Sequence, residues 1–282
     1  MTARASEVAD TVRGGVHAID RRAVFYALML GLVAAAWITL WFWSASPYGR
    51  YLDHGRWTDI GVAAAICRVV PAGDVVVPAL LYAAGWLLMI AAMMLPTTLP
   101  LLEIFRRITA GRSDASRLVG LVVSGYVCAW LGFGLAAHAA DALLRAAAER
   151  TPWIVVNGWV IGVAVLGAAG LFQFSALKYR CLDKCRTPLG FVVERWRGRA
   201  PARDALRLGI SHGAFCVGCC WALMLLMFVV GTASLGWMLA LSAVMAAEKN
   251  LPGGRRLSMP LGVALIGWAG VVLLLNVGSS AG

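Results

Sequence analysis

Acidic residues are scarce in this chain. Its 282 residues hold 14 Asp and Glu against 25 Lys and Arg, with only four His. Charged residues of both signs reach 14%, where about 25% is usual for a soluble domain. That shortage, with a hydrophobic share of 61%, excludes an ordinary soluble fold. It also leaves no carboxylate pair within the apolar stretches to carry out acid–base hydrolysis. A nucleophile elbow, a phosphate-binding Gly-Lys-Ser/Thr loop and a His-Glu-x-x-His helix are not expected, and the Asp-Lys-Thr-Gly signature of a metal-pumping ATPase is absent. Enzyme chemistry is the less favoured reading. No cleaved leader is expected either, because Arg4, Asp10 and Arg13 interrupt the first residues without a small-residue cleavage pattern.

What the chain has is apolar runs. Crossing roughly 30 Å of hydrocarbon takes about twenty such residues in a helix. Runs of that kind fall near 24–43, 79–95, 118–138, 154–176, 207–230, 233–247 and 259–277. The expected fold is an all-α polytopic transmembrane helix bundle of seven spans. The second and sixth runs are short, so six spans plus a re-entrant segment is the alternative. Residues 1–23 read as an N-terminal tail, 24–277 as a single bundle and 278–282 as a C-terminal tail.

Lys and Arg concentrate on the cytoplasmic side of membrane proteins, and here they mark every other connection. The N-terminal segment holds Arg4, Arg13, Arg21 and Arg22, and the second loop holds Arg106, Arg107, Arg112 and Arg117. The loop at 178–206 holds Lys178, Arg180, Lys184, Arg186, Arg195, Arg197, Arg199 and Arg203, and the sixth connection holds Lys249, Arg255 and Arg256. The loops 44–78 and 139–153 instead offset their arginines with Asp53, Asp59, Asp74, Asp141 and Glu149. A cytoplasmic N-terminus and an outward C-terminus follow, in a bacterial inner membrane. The net charge of +11 then needs no nucleic acid as partner; anionic inner-leaflet lipid is the expected one. The 178–206 loop has room for one short amphipathic helix on the membrane surface.

Seven cysteines is an odd number, and most lie in apolar runs or on a basic loop, so reduced thiols are expected rather than a disulfide framework. Five of them, with one histidine, fall into two short motifs, Cys181-x3-Cys185 and His212-x3-Cys216-x2-Cys219-Cys220. On a helix, His212, Cys216, Cys219 or Cys220, and Met224 share one face. Cys216 lies nine residues beyond Arg207, which at 1.5 Å per residue is about 13 Å into the membrane. Thiolate, imidazole and thioether donors suit Cu(I), and thiolates with imidazole also suit Zn. Cys181 and Cys185 share a face if the fourth helix reaches them, and the cations around them favour the thiolate that binds metal. The plainer reading has the cations as orientation signals and the thiols as bystanders.

Packing is the competing account of the other sulfurs. Cys67 and Cys128 read as helix-contact residues, and Met93, Met94, Met224, Met227, Met238 and Met245 as gap fillers of the core. Met94 and Met224 stay in the candidate set because they sit near the inner ends of their helices and beyond the cysteines, respectively. Glu248 is either a hard oxygen ligand or, with Lys249, an anchor at the headgroups.

Four segments together carry a family resemblance. They are Ala92-Met93-Met94-Leu95-Pro96 with Pro100; Leu177-Lys178-x2-Cys181-x3-Cys185-Arg186-x-Pro188; Gly209-x2-His212-Gly213-x2-Cys216-x-Gly218-Cys219-Cys220-Trp221-Ala222-Leu223-Met224; and Trp237-Met238 with Glu248-Lys249. Over about residues 80–250 the chain resembles a bacterial family of predicted metal-binding integral membrane proteins defined by a domain of unknown function. The resemblance implies a polytopic membrane protein with a metal site on its cysteines, and names no reaction.

Three functions follow from these residues. The first is transport or handling of a soft transition metal, Cu(I) or Zn, received from a soluble delivery partner. The second is a membrane thiol–disulfide oxidoreductase in which Cys216 and Cys219 cycle and Cys181 or Cys185 relays electrons. The third is a scaffold or assembly subunit whose small residues only pack helices.

Overall fold

A computed structural model of the chain describes residues 2–46, 76–151, 153–154, 157–230 and 235–280. Helix is the only regular structure among them. In chain order the helices are α1 (Thr2–Ala45), α2 (Val76–Met89), α3 (Leu95–Ile108), α4 (Ala115–Glu149), α5 (Trp159–Phe172), α6 (Ala176–Arg186), α7 (Pro188–Arg195), α8 (Pro201–Val230), α9 (Leu235–Asn250) and α10 (Ser258–Ser280). Most of the expected loop 44–78, with Cys67, Asp53, Asp59 and Asp74, and the link Gly231-Thr232-Ala233 lie outside the described residues.

Five stretches are long and apolar enough to cross a membrane: Ala23–Ala45, Leu80–Ile108, Ala115–Ala148, Pro201–Met227 and Gly254–Val277. The bent pair α5–α6 makes a sixth if it counts as one span. Helix α9, with 16 residues, is shorter than these.

Local sequence explains where the expected boundaries move. The second apolar run does not stop at 95, because α2 passes through a π-helical turn, Ile90–Met94, straight into α3. Pro96 has no N–H for the carbonyl of Ala92, and its ring crowds that position. Widening the turn, with the Leu95 N–H bonded to the Ile90 carbonyl, absorbs the mismatch and keeps the helix going to Ile108. The third run likewise continues as α4 to Glu149, so the expected loop 139–153 is mostly helix.

Helix α5 stops at Phe172, and α6 restarts at a 62° bend. Ser175, in an extended conformation, caps α6 by accepting from the Lys178 N–H at 3.1 Å. The 178–206 stretch therefore carries two short helices where one was expected. They lie against the bundle, with Lys178, Cys181, Leu182, Phe191 and Val192 buried.

Glycine sets the tightest contact. A methyl group placed on Gly209 of α8 would lie 2.1 Å from the Val122 carbonyl oxygen of α4, and one on Gly125 would lie 2.4 Å from the Leu206 carbonyl oxygen. These helices thus touch backbone to backbone, as small residues allow in apolar surroundings. Gly170 of α5 meets Gly262 and Ile266 of α10 in a similar way. The core between the helices holds Trp86, Trp130, Met93, Met94, Leu166, Leu223 and Met245. Outer faces of α1 and α10 stay apolar and exposed, with Leu28, Phe42, Leu274 and Leu275 each more than 60% accessible.

Candidate metal centre

Four helices and the π turn bring sulfur and nitrogen donors to one buried spot. Helix α8 supplies Cys216, Cys219 and Cys220, each at most 1% exposed. Helix α6 supplies Cys185, whose Sγ stands 4.0 Å from that of Cys219, and Cys219 and Cys220 are 3.4 Å apart, sulfur to sulfur. Cys216 lies one turn before Cys219 and Cys220 on the same helix. Cys181, one turn before Cys185, packs over Gly218, where an added methyl would come within 2.6 Å of its Sγ. The bend at Ser175 makes this meeting of α6 and α8 possible, since it turns α6 onto the cysteine face.

The other side of Cys216 is polar. Lys249 of α9 donates to its Sγ at 2.9 Å and to the Thr97 hydroxyl at 3.2 Å, with its Nζ 4.0 Å from the Met94 Sδ. The Tyr126 hydroxyl of α4 lies 3.0 Å from Cys216 Sγ and donates to the Met94 carbonyl at 3.3 Å. Cys219 donates back to the Cys216 carbonyl at 3.2 Å. A cation at hydrogen-bond distance from a thiol is the setting that favours thiolate, the metal-binding and nucleophilic form.

The remaining candidates sit apart from this cluster. His212 packs its ring against Tyr126 and Phe191, with centroids at 5.7 and 5.4 Å, and its buried Nδ1 has no hydrogen-bond partner among the described residues. It borders a cleft too tight for water, lined also by Leu95, Thr98 and Leu102. Met224 is fully buried in the apolar core. The Glu248 carboxylate is held by Lys178 at 2.7 and 2.9 Å and by the Ser258 hydroxyl at 2.7 Å. Gln173 also accepts from Lys178, and Arg186 donates to the Glu248 carbonyl. Glu248 is therefore 1% exposed inside the protein rather than an anchor at headgroups. Cys128 is exposed on α4.

Among the described residues, no three His, Cys, Asp or Glu side chains stand as a finished cation cage. The sulfurs touch one another instead, so gripping an ion requires the thiols to turn toward it. Gly209-Ile210-Ser211-His212-Gly213 does fit the Gly-x-Ser-x-Gly spacing, contrary to the expectation that no such pattern occurs. It lies in the middle of α8, however, without the sharp strand-to-helix turn that exposes a nucleophile. Its glycines serve the contact with α4.

Sequence reading passed over Tyr126 and Thr97 and placed Lys249 at the membrane surface. Lys249 was the most detectable of these, as a cation closing an apolar helix beside an acid. Tyr126 gives no such signal, because an aromatic residue in an apolar run is ordinary.

No curated protein and no solved structure matches the chain. A family model does: the one described as copper chaperone, PpoB2, matches residues 83–272. That stretch spans the π turn, Tyr126, both cysteine motifs and Lys249, and most of the chain. The protein belongs to the PpoB2 copper chaperone family.

Proposed function

We propose that the chain is an integral protein of the bacterial inner membrane that takes up Cu(I) on Cys185, Cys216, Cys219 and Cys220 and hands it on. Cys181 stands beside this set, and His212, Met224 and Met94 flank it. The carrying observation is the approach of thiols from α6 and α8, at 4.0 Å between Cys185 and Cys219. Two sulfurs each about 2.3 Å from one ion stand roughly 3.8 Å apart in tetrahedral geometry and roughly 4.6 Å apart when opposed. The observed spacing falls between these values. Soft thiolates prefer Cu(I), the family handles copper, and nothing in that match supports zinc.

Membrane insertion rests on the apolar helices and on the alternation of basic loops. The reading has seven spans, counting α5–α6 as one bent span and α9 as a short one. The N-terminus is cytoplasmic, and the basic α6–α7 segment faces anionic lipid. A soluble or membrane partner that gives or receives copper completes the function, because the sequence carries no signature of an ATP-driven pump.

The test is elemental analysis of protein purified without nickel resin and loaded anaerobically with Cu(I). Wild type should retain stoichiometric copper, and the triple variant Cys216→Ser, Cys219→Ser, Cys220→Ser should retain none. Equal copper in both would end this reading. The Cys185–Cys219 approach also favours a second one, thiol–disulfide exchange across α6 and α8. A mixed disulfide trapped in a single-cysteine variant would support it over copper handling.

A further inference from the structure

A lysine buried against a thiol, with no carboxylate for company, needs an explanation. Lys249 is 6% exposed. Its neighbour Glu248 faces away, paired with Lys178, and among the described residues no carboxylate pairs with Lys249. Its contacts are the Cys216 sulfur, the Thr97 hydroxyl and the Met94 thioether. A buried charge with only neutral partners is costly, and is kept where it meets an opposite charge.

We infer that the Lys249 ammonium is the fixed counter-charge of the thiol cluster and makes it selective for a monovalent ion. This rests on the copper reading above. With two of the four thiols ionised, Cys216 among them, and the other two protonated, one bound Cu(I) leaves one net negative charge, and the ammonium beside Cys216 brings the group to neutrality. Two thiolates around one Zn(II) are already neutral, so the same ammonium leaves an uncompensated positive charge in an apolar interior. Lys249 thereby favours Cu(I) and disfavours divalent ions. It is a positioning and selectivity residue; Thr97 and Met94 hold its amine against Cys216.

The experiment compares wild type with Lys249→Met, Lys249→Gln and Lys249→Arg in detergent. Anaerobic Cu(I) affinity is read by competition with a chromophoric Cu(I) chelator, and Zn(II) affinity by competition with a zinc chelator. Second-layer groups of metal sites commonly control affinity by about 10–100-fold. The neutral variants should lose Cu(I) affinity in that range while Zn(II) affinity holds or rises, and Lys249→Arg should keep the wild-type preference. A parallel fall for both ions, or an unchanged Cu(I)/Zn(II) ratio, overturns the inference. So does aggregation of both neutral variants, because the ammonium would then be a folding element. Failure of wild type to bind Cu(I) is a different result and removes the copper reading itself.

Discussion

At the scale of single residues, the costliest commitments are two buried lysines with opposite solutions. Lys249 lies against sulfur, whereas Lys178 is fully buried against Glu248, at 0% and 1% side-chain exposure. Gln173 and Ser258 satisfy further polar atoms of this pair, so removing either charged partner strands the other. Breaking such a pair costs about 3–5 kcal/mol, whereas replacing both members with well-packed apolar residues is often close to neutral. Lys178→Met should accordingly lower the unfolding midpoint in detergent strongly, and the double variant Lys178→Met with Glu248→Met should recover most of the loss. Equal destabilisation by single and double variants would contradict this account. The sequence shows Lys178 as one cation among many in a basic loop; only its distant partner, 70 residues on, makes it a core residue.

At the scale of elements, the contact between α4 and α8 decides where the cysteines stand. Gly125, Gly209 and Gly213 let the two backbones meet, and Tyr126, next to Gly125, reaches Cys216 as a result. Overpacking a tight contact typically costs about 1–3 kcal/mol. Gly209→Val should therefore reduce thermal stability and weaken copper retention together, by moving Tyr126 and α8 apart. Gly120→Ala on the open side of α4, where a methyl meets nothing within 4 Å, should change neither. Differential scanning fluorimetry with copper analysis on the same samples checks both outcomes. Two further local devices aim the site. The π turn before Pro96 places Met94 and Thr97 toward Lys249, and the Ser175 cap turns α6 onto α8. Pro96 is a breaker by its chemistry, yet it widens its helix without ending it, and Ser175, inside the expected run 154–176, redirects the chain.

For the whole molecule, the exposed apolar faces of α1 and α10 and the alternating basic segments support the proposed insertion. A reporter active only outside the cytoplasm should be active when fused after residue 282 and inactive when fused after Arg195. The reverse pattern, or equal activity at both points, would rule out the proposed seven-span orientation. The bent α5–α6 unit and the 16-residue α9 bear most directly on that count. They are also the two elements that deliver Cys185 and Lys249, so the least regular parts of the bundle are the ones that complete the site.

The sequence by itself determined the helical class, the apolar segments and the two cysteine motifs, because helical periodicity and hydropathy are local properties of consecutive residues. Tertiary structure alone decided that Cys185 meets Cys219, that Tyr126 and Lys249 flank Cys216, and that Glu248 belongs to Lys178. Those contacts join residues 33 to 90 positions apart. Their geometry depends on a bend, a widened turn and a glycine contact, whose effects appear only once the helices pack.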